Sequence, residues 1–191
     1  MRGLRIEAST LVMLDRLILL LLTVILSGIL TAALLMQFAF GEIPCPLCLL
    51  QRVATFGCCF GLLHQLRARE SERGGGIALL FAVLLLVIAA RQSLLDLVPR
   101  PGHAYIGTAV FGLHMPVWSV LIGVALLLAL SLRLTLFGGP RVPPEAARLP
   151  LVRATRLLEF YVVLICAINF ASVVLQCGLG ECHTSGYRLL T

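Results

Sequence analysis

Four cysteines in two pairs are the residues of this sequence best equipped for chemistry. Cys45-Pro46-Leu47-Cys48 is a C-x-x-C pair at the start of an apolar run. Proline suits the first position of a helix, where a backbone N–H would have no partner in any case. The spacing therefore predicts Cys45 as a helix N-cap and Cys48 as the third helical residue. Both sulfurs then lie among unpaired backbone N–H groups at the positive end of the helix dipole. That setting favours thiolate over thiol, and the thiolate is the reactive form. The pair can be redox-active, a static disulfide, or half of a zinc site completed by Cys177, Cys182 and His183. Thiolate activation favours the redox reading, and no metal is expected.

Cys177 and Cys182 flank Gly178-Leu179-Gly180-Glu181, whose glycines permit a tight turn that brings the sulfurs together. This pair is either a second redox couple or a staple for the tail. Arg52 follows Cys48 by four residues, on the same helix face and about 6 Å further along the axis. A charge inside a membrane segment is costly and marks function by default. Arg52 either stabilises a thiolate and an anionic oxygen on an electron acceptor, or snorkels to the interface. Arg91 and Gln92 either line a cavity beneath the same surface or reach the interface. Cys58, Cys59 and Cys166 read as small core residues. Asn169 reads as interhelical glue and Trp118 as an interfacial anchor.

The elements that position these groups follow from composition. Hydrophobic residues make up 60% of the 191 and charged residues only 13%, too little polar surface for a water-soluble domain. The chain reads as an all-α integral membrane protein forming a single membrane domain over 1–191. Five apolar stretches are long enough to span a bilayer, at about 17–40, 47–66, 77–98, 117–137 and 157–176. The charged, Gly- and Pro-containing segments 67–76 and 138–156 read as loops on one side. Segments 41–46 and 99–116 read as loops on the other, with an outer tail at 177–191. The run 17–40 is too long for a cleaved signal peptide.

All fifteen basic residues are Arg. Eleven (Arg2, Arg5, Arg16, Arg67, Arg69, Arg73, Arg133, Arg141, Arg148, Arg153 and Arg156) fall on one side of the alternating topology. Four (Arg52, Arg91, Arg100 and Arg188) fall on the other. The positive-inside rule then places the N-terminus in the cytoplasm and the C-terminus outside. The net charge of +6 is thus a topology signal, with no nucleic acid implied. Cys45, Cys48, Cys177 and Cys182 fall on the outer face, where disulfides persist in bacteria.

With those residues in view, the sequence resembles a known family. Ile43-Pro44-Cys45-Pro46-Leu47-Cys48-Leu49-Leu50-Gln51-Arg52, with Phe56-Gly57 following, resembles the P-C-x-L-C-x-x-x-R…F-G signature of DsbB-type disulfide bond formation proteins. Gly112-Leu113-His114-Met115-Pro116-Val117-Trp118 resembles the G-L-x-M-P-x-W stretch that leads into that family's fourth helix. The likeness covers about residues 10–137. It implies a DsbB-like four-helix bundle in the bacterial inner membrane, with its redox site on the periplasmic face. Such a protein oxidises a periplasmic thioredoxin-like (DsbA-like) dithiol partner and passes electrons to a membrane quinone, ubiquinone or menaquinone. By position, Cys45 and Cys48 are the quinone-coupled pair, with Arg52 beside Cys48. Gln92 stands where family members can carry a quinone-facing His.

The chain departs from the family in one respect. A second cysteine pair usually lies in the second outer loop, but 99–116 has none, and a fifth helix delivers Cys177 and Cys182 instead. The tail pair, on a segment with Gly178, Gly180 and Gly186, is expected to replace it as a relay. Otherwise Cys45–Cys48 exchanges with the partner directly. Two other functions compete: a quinone reductase similar to vitamin K epoxide reductases, and a non-enzymatic metal-binding or scaffold subunit. In the former the C-x-x-C falls late in the bundle, whereas here it opens the second helix.

Overall fold

Five α-helices follow one another along the chain: α1 Arg2–Ala39, α2 Pro46–Arg67, α3 Arg73–Leu97, α4 Met115–Phe137 and α5 Leu149–Cys177. The computed structural model describes residues 2–67, 71–97, 111–138, 149–178 and 182. Residues 98–110 between α3 and α4, His183 and most of the tail lie outside them. All five helices carry stretches long and apolar enough to cross a bilayer. The protein is therefore a multi-pass helical membrane protein, with no strand among the described residues.

Helix α1 buries Leu19, Thr23, Leu26, Leu30, Leu34 and Gln37. Their three- and four-residue spacing makes one stripe facing the bundle. The helix ends at Gly41, whose φ of +69° lets the chain double back while the Glu42 N–H donates to the Met36 carbonyl at 3.3 Å. Six residues, 40–45, thus separate α1 from an antiparallel α2.

The closest packing is between α2 and α3, and small residues make it possible. Gly57 and Gly61 stand one turn apart on α2. A methyl on Gly57 would meet the Phe81 ring. One on Gly61 would meet the backbone of Ala78, and one on Gly74 that of Gln65. Between apolar helices in lipid, such close backbone approach supplies much of the attraction. The Gly74-Gly75-Gly76 run, expected in a loop over 67–76, lies in the first turn of α3, and the close approach requires glycine at 74. Glycine is a poor helix former in water, but here it is selected by contact with Gln65, whose Oε1 accepts the Gly75 N–H at 2.9 Å.

Two other boundaries differ from expectation. α5 starts at Leu149, inside the segment 138–156 read as loop, and α1 starts at Arg2 instead of near residue 17. Hydropathy marks where a helix enters the membrane, whereas the helix itself continues until a breaker stops it; no proline interrupts residues 2–16. Cys58 and Cys59 are fully buried, as expected of small core residues. Cys166 is exposed, contrary to that reading, because its side of α5 faces away from the bundle.

The end of the bundle remote from Cys45 holds ion pairs. Arg133 of α4 donates Nε–H to Asp15 Oδ1 of α1 at 2.6 Å and Nη2–H to Oδ2 at 3.2 Å. Its Nη1 reaches Glu72 Oε2 at 3.0 Å. Asp15 and Arg133 are both buried. On the α5 side, Arg67 forms a bidentate pair with Glu159.

Candidate functional site: a disulfide at the start of a membrane helix

Cys45 immediately precedes α2, with Pro46 as its first residue. The Cys45 sulfur accepts the Cys48 N–H at 3.0 Å, and the Cys45 carbonyl accepts the Leu49 N–H at 3.0 Å. A sulfur thus occupies the place that a Ser or Asp oxygen fills at an ordinary helix cap. Cys45 and Cys48 form a disulfide, with Cα atoms 5.0 Å apart. Cys45 is only 3% exposed, while Cys48 is half-buried.

Gln92 of α3 is the side chain that meets this disulfide. It is buried, and its Nε2 lies 3.5 Å from both sulfurs. Its Oε1 accepts from Gln51 Nε2 at 2.8 Å, which fixes which end of the amide faces the cysteines. Of the neighbouring pair Arg91 and Gln92, Gln92 is buried and Arg91 is exposed.

Arg52 of α2 is held by two other helices at once. Its Nη1 donates to Gln37 Oε1 of α1 at 2.6 Å and to Asn169 Oδ1 of α5 at 3.1 Å. Its Nη2 donates to the Ala33 carbonyl at 2.9 Å. The group is 9% exposed, so it is built into the bundle instead of snorkelling to the interface. Asn169 is interhelical glue of a specific kind, aimed at a guanidinium. Sequence reasoning did not single out Gln37, Gln51 or Gln176. Their common signal is a carboxamide inside an apolar span, where an unsatisfied polar group is costly.

Cys177 and Cys182 form the second disulfide, with Cα atoms 4.2 Å apart. It lies at the same end as the first. Gln176, next to Cys177, donates Nε2–H to the Pro44 carbonyl at 2.8 Å, and Pro44 precedes Cys45. Cys177 is 5% exposed and Cys182 half-buried. Cys45, Cys48, Cys177 and Cys182 are thus paired in two disulfides at one end of the bundle. No group of three or more His, Cys, Asp or Glu suited to a metal occurs among the described residues.

A C-x-x-C disulfide capping a membrane helix, backed by buried carboxamides and a buried guanidinium, defines a class: polytopic membrane proteins with a thiol–disulfide site at one end of a helical bundle. The family described as "Disulfide bond formation protein DsbB" matches residues 15–132, and the chain belongs to that family. Two relatives called Disulfide bond formation protein B are similar to it. The one from Nitrosomonas europaea is 33% identical over 89 residues, 44% of this chain and 54% of the relative. The one from Chromohalobacter salexigens is 36% identical over 97 residues, 47% of this chain and 56% of the relative. The chain therefore spans about half the length of these curated relatives. No solved structure matches it. The family match ends before α5, so Asn169, Gln176, Cys177 and Cys182 are additions to the matched core.

Proposed function

We propose that the protein is a quinone-linked thiol oxidase of the bacterial inner membrane, reoxidising a periplasmic thioredoxin-like dithiol protein. The observation that carries this reading is the Cys45–Cys48 disulfide at the start of α2 with Gln92 Nε2 at 3.5 Å from both sulfurs. An N–H aimed at sulfur stabilises a thiolate more than a thiol, as does the helix N-terminus beneath it. The site suits a quinone chemically. Arg52 and Gln92 are buried N–H donors that match carbonyl oxygens, and both are held in place by other side chains. A bound quinone supplies the acceptor for the two electrons and two protons of the Cys45/Cys48 dithiol.

The tail pair acts as the relay. Cys182 is the more exposed sulfur of its disulfide, so the partner's thiolate attacks there, and Cys177 leaves as a thiolate. The partner's second thiol then attacks its own mixed-disulfide sulfur, leaving the partner oxidised and Cys177/Cys182 reduced. The same exchange carries two electrons onward to Cys45–Cys48. The Gln176–Pro44 hydrogen bond supports this route, because it ties the residues next to Cys177 and Cys45 together.

The test uses the purified full chain, a reduced thioredoxin-like protein and a ubiquinone or menaquinone analogue. Quinone reduction and partner oxidation are expected to proceed mole for mole. Cys177→Ala with Cys182→Ala is expected to stop partner oxidation yet leave quinone reduction by a small dithiol nearly intact. No quinone reduction by the parent chain overturns the oxidase reading. Undiminished partner oxidation by the double variant makes the tail disulfide a staple.

A further inference from the structure

At the end of the bundle opposite the cysteines, a cleft of about 390 Å³ opens between α5 and the α1–α2 pair. That size is in the range of small-ligand sites, roughly 300–1,000 Å³. Its charged and polar lining is Arg16 of α1, Arg67 of α2, and Thr155, Arg156 and Glu159 of α5. Leu66, Leu151 and Val152 form its apolar wall. Three guanidiniums and one carboxylate line it. Glu159 is already bound to Arg67. Val152, Arg156 and Glu159 lie on one face of α5 at four- and three-residue spacing, so the arginine is flanked by an apolar and an acidic neighbour.

The axial level of the cleft matters as much as its charge. Arg67 ends the apolar stretch of α2, and Leu151 begins that of α5. A ligand there meets cationic groups on the water side and aliphatic groups on the hydrocarbon side. That layering matches a glycerophospholipid, with its phosphodiester outward and its glycerol and acyl roots inward. A soluble phosphate compound would have no use for Leu151 and Val152. Basic clefts between spanning helices at the cytoplasmic face are a recurrent form of anionic-lipid site.

We infer that the cleft lined by Arg16, Arg67 and Arg156 binds the headgroup of an anionic glycerophospholipid. Glu159 holds Arg67 in place while competing with the lipid for it. The ligand is thus clasped between α5 and the family core, and it tethers the helix that delivers Cys177 and Cys182 at its other end.

Native mass spectrometry of the full chain in neutral detergent, titrated with phosphatidylglycerol, tests this. Phosphatidylglycerol is expected to be retained over phosphatidylcholine. Arg156 is exposed, so Arg156→Gln preserves the fold. It is expected to weaken retention about five-fold, the usual effect of one arginine near a lipid surface, and Arg156→Lys is expected to restore most of it. Glu159→Gln is expected to strengthen retention, which loss of a purely structural ion pair would not do. Equal retention of the two lipids, or of parent and Arg156→Gln, overturns the site. Displacement of the lipid by millimolar inorganic phosphate, with phosphate binding as tightly alone, overturns the lipid as the ligand.

Discussion

Gln176 and Pro44 lie 132 residues apart in sequence, yet Gln176 Nε2 donates to the Pro44 carbonyl at 2.8 Å, with the glutamine fully buried. Each is the immediate neighbour of a disulfide cysteine. The bond therefore sets the end of α5 against the turn that presents Cys45. It joins a helix outside the family match to the residue pair at the heart of that match.

Gln176→Leu removes the donor and leaves a buried carbonyl unsatisfied, at a cost of about 1–3 kcal/mol. Oxidation of a protein dithiol is expected to fall about ten-fold or more if that cost lands on the docked arrangement. Quinone reduction driven by a small dithiol is expected to change little. Comparing the two rates in one preparation checks this, and an equal fall in both would mean that Gln176 only stabilises the fold.

Gln92→Leu removes the N–H shared by the two sulfurs and strands the Gln51 amide. Reoxidation of the Cys45/Cys48 dithiol by a quinone analogue is expected to slow about ten-fold, since one hydrogen bond to a charged group is worth about 1.5–3 kcal/mol. Single-turnover kinetics in a Cys177→Ala, Cys182→Ala background read this directly, and an unchanged rate would mean that Gln92 only packs against the disulfide. Arg52→Met is expected to reduce quinone turnover more than it reduces thermal stability, with KM for quinone rising.

Asp15→Asn removes one of the two carboxylates that pair with buried Arg133 and leaves Glu72, so the cost is expected to stay below the ~3–5 kcal/mol of a wholly unpaired buried charge. The melting temperature in detergent is expected to drop clearly. Combining Asp15→Leu with Arg133→Met is expected to recover most of the loss, because no uncompensated buried charge remains. A double variant as unstable as Asp15→Asn would show that the pair is worth more than its desolvation.

Gly61→Ala and Gly74→Ala each place a methyl against backbone of the opposing helix. Neither backbone can yield as a flexible side chain would, so each substitution is expected to cost about 1–3 kcal/mol. Gly76→Ala, with nothing within 4 Å, is the control and is expected to be neutral or stabilising. Thermal unfolding of the three variants side by side checks the order.

The arginine distribution predicts a cytoplasmic N-terminus and an outer C-terminus. A C-terminal reporter active only outside the cytoplasm is the expected result. Activity only inside would remove Cys177 and Cys182 from the oxidising side and end the relay.

Much of this molecule was legible without its structure. Hydropathy alone located five spans, because the need to satisfy every backbone group in lipid leaves helices as the available form. The N-cap position of Cys45 was equally local: a proline one residue later suffices to start a helix there. The motif around Cys45, Cys48 and Arg52 carried the family. Helix ends were less legible, as the Gly74-Gly75-Gly76 run shows, since Gly74 and Gly75 answer to Gln65 across the interface and not to their own segment.

What the sequence determined by itself was therefore which residues span the membrane and which cysteines open a helix. Tertiary structure decided which side chains meet: Gln92 against both sulfurs, Arg52 among Ala33, Gln37 and Asn169, Asp15 against Arg133, and Cys166 turned outward. The physical reason is that lipid is as apolar as a helix interface. In water, a polar stripe reveals which face of a helix is outside. In a bilayer both faces of α3 and α5 read as hydrocarbon, so only packing against the neighbouring helices fixes how each is turned about its axis.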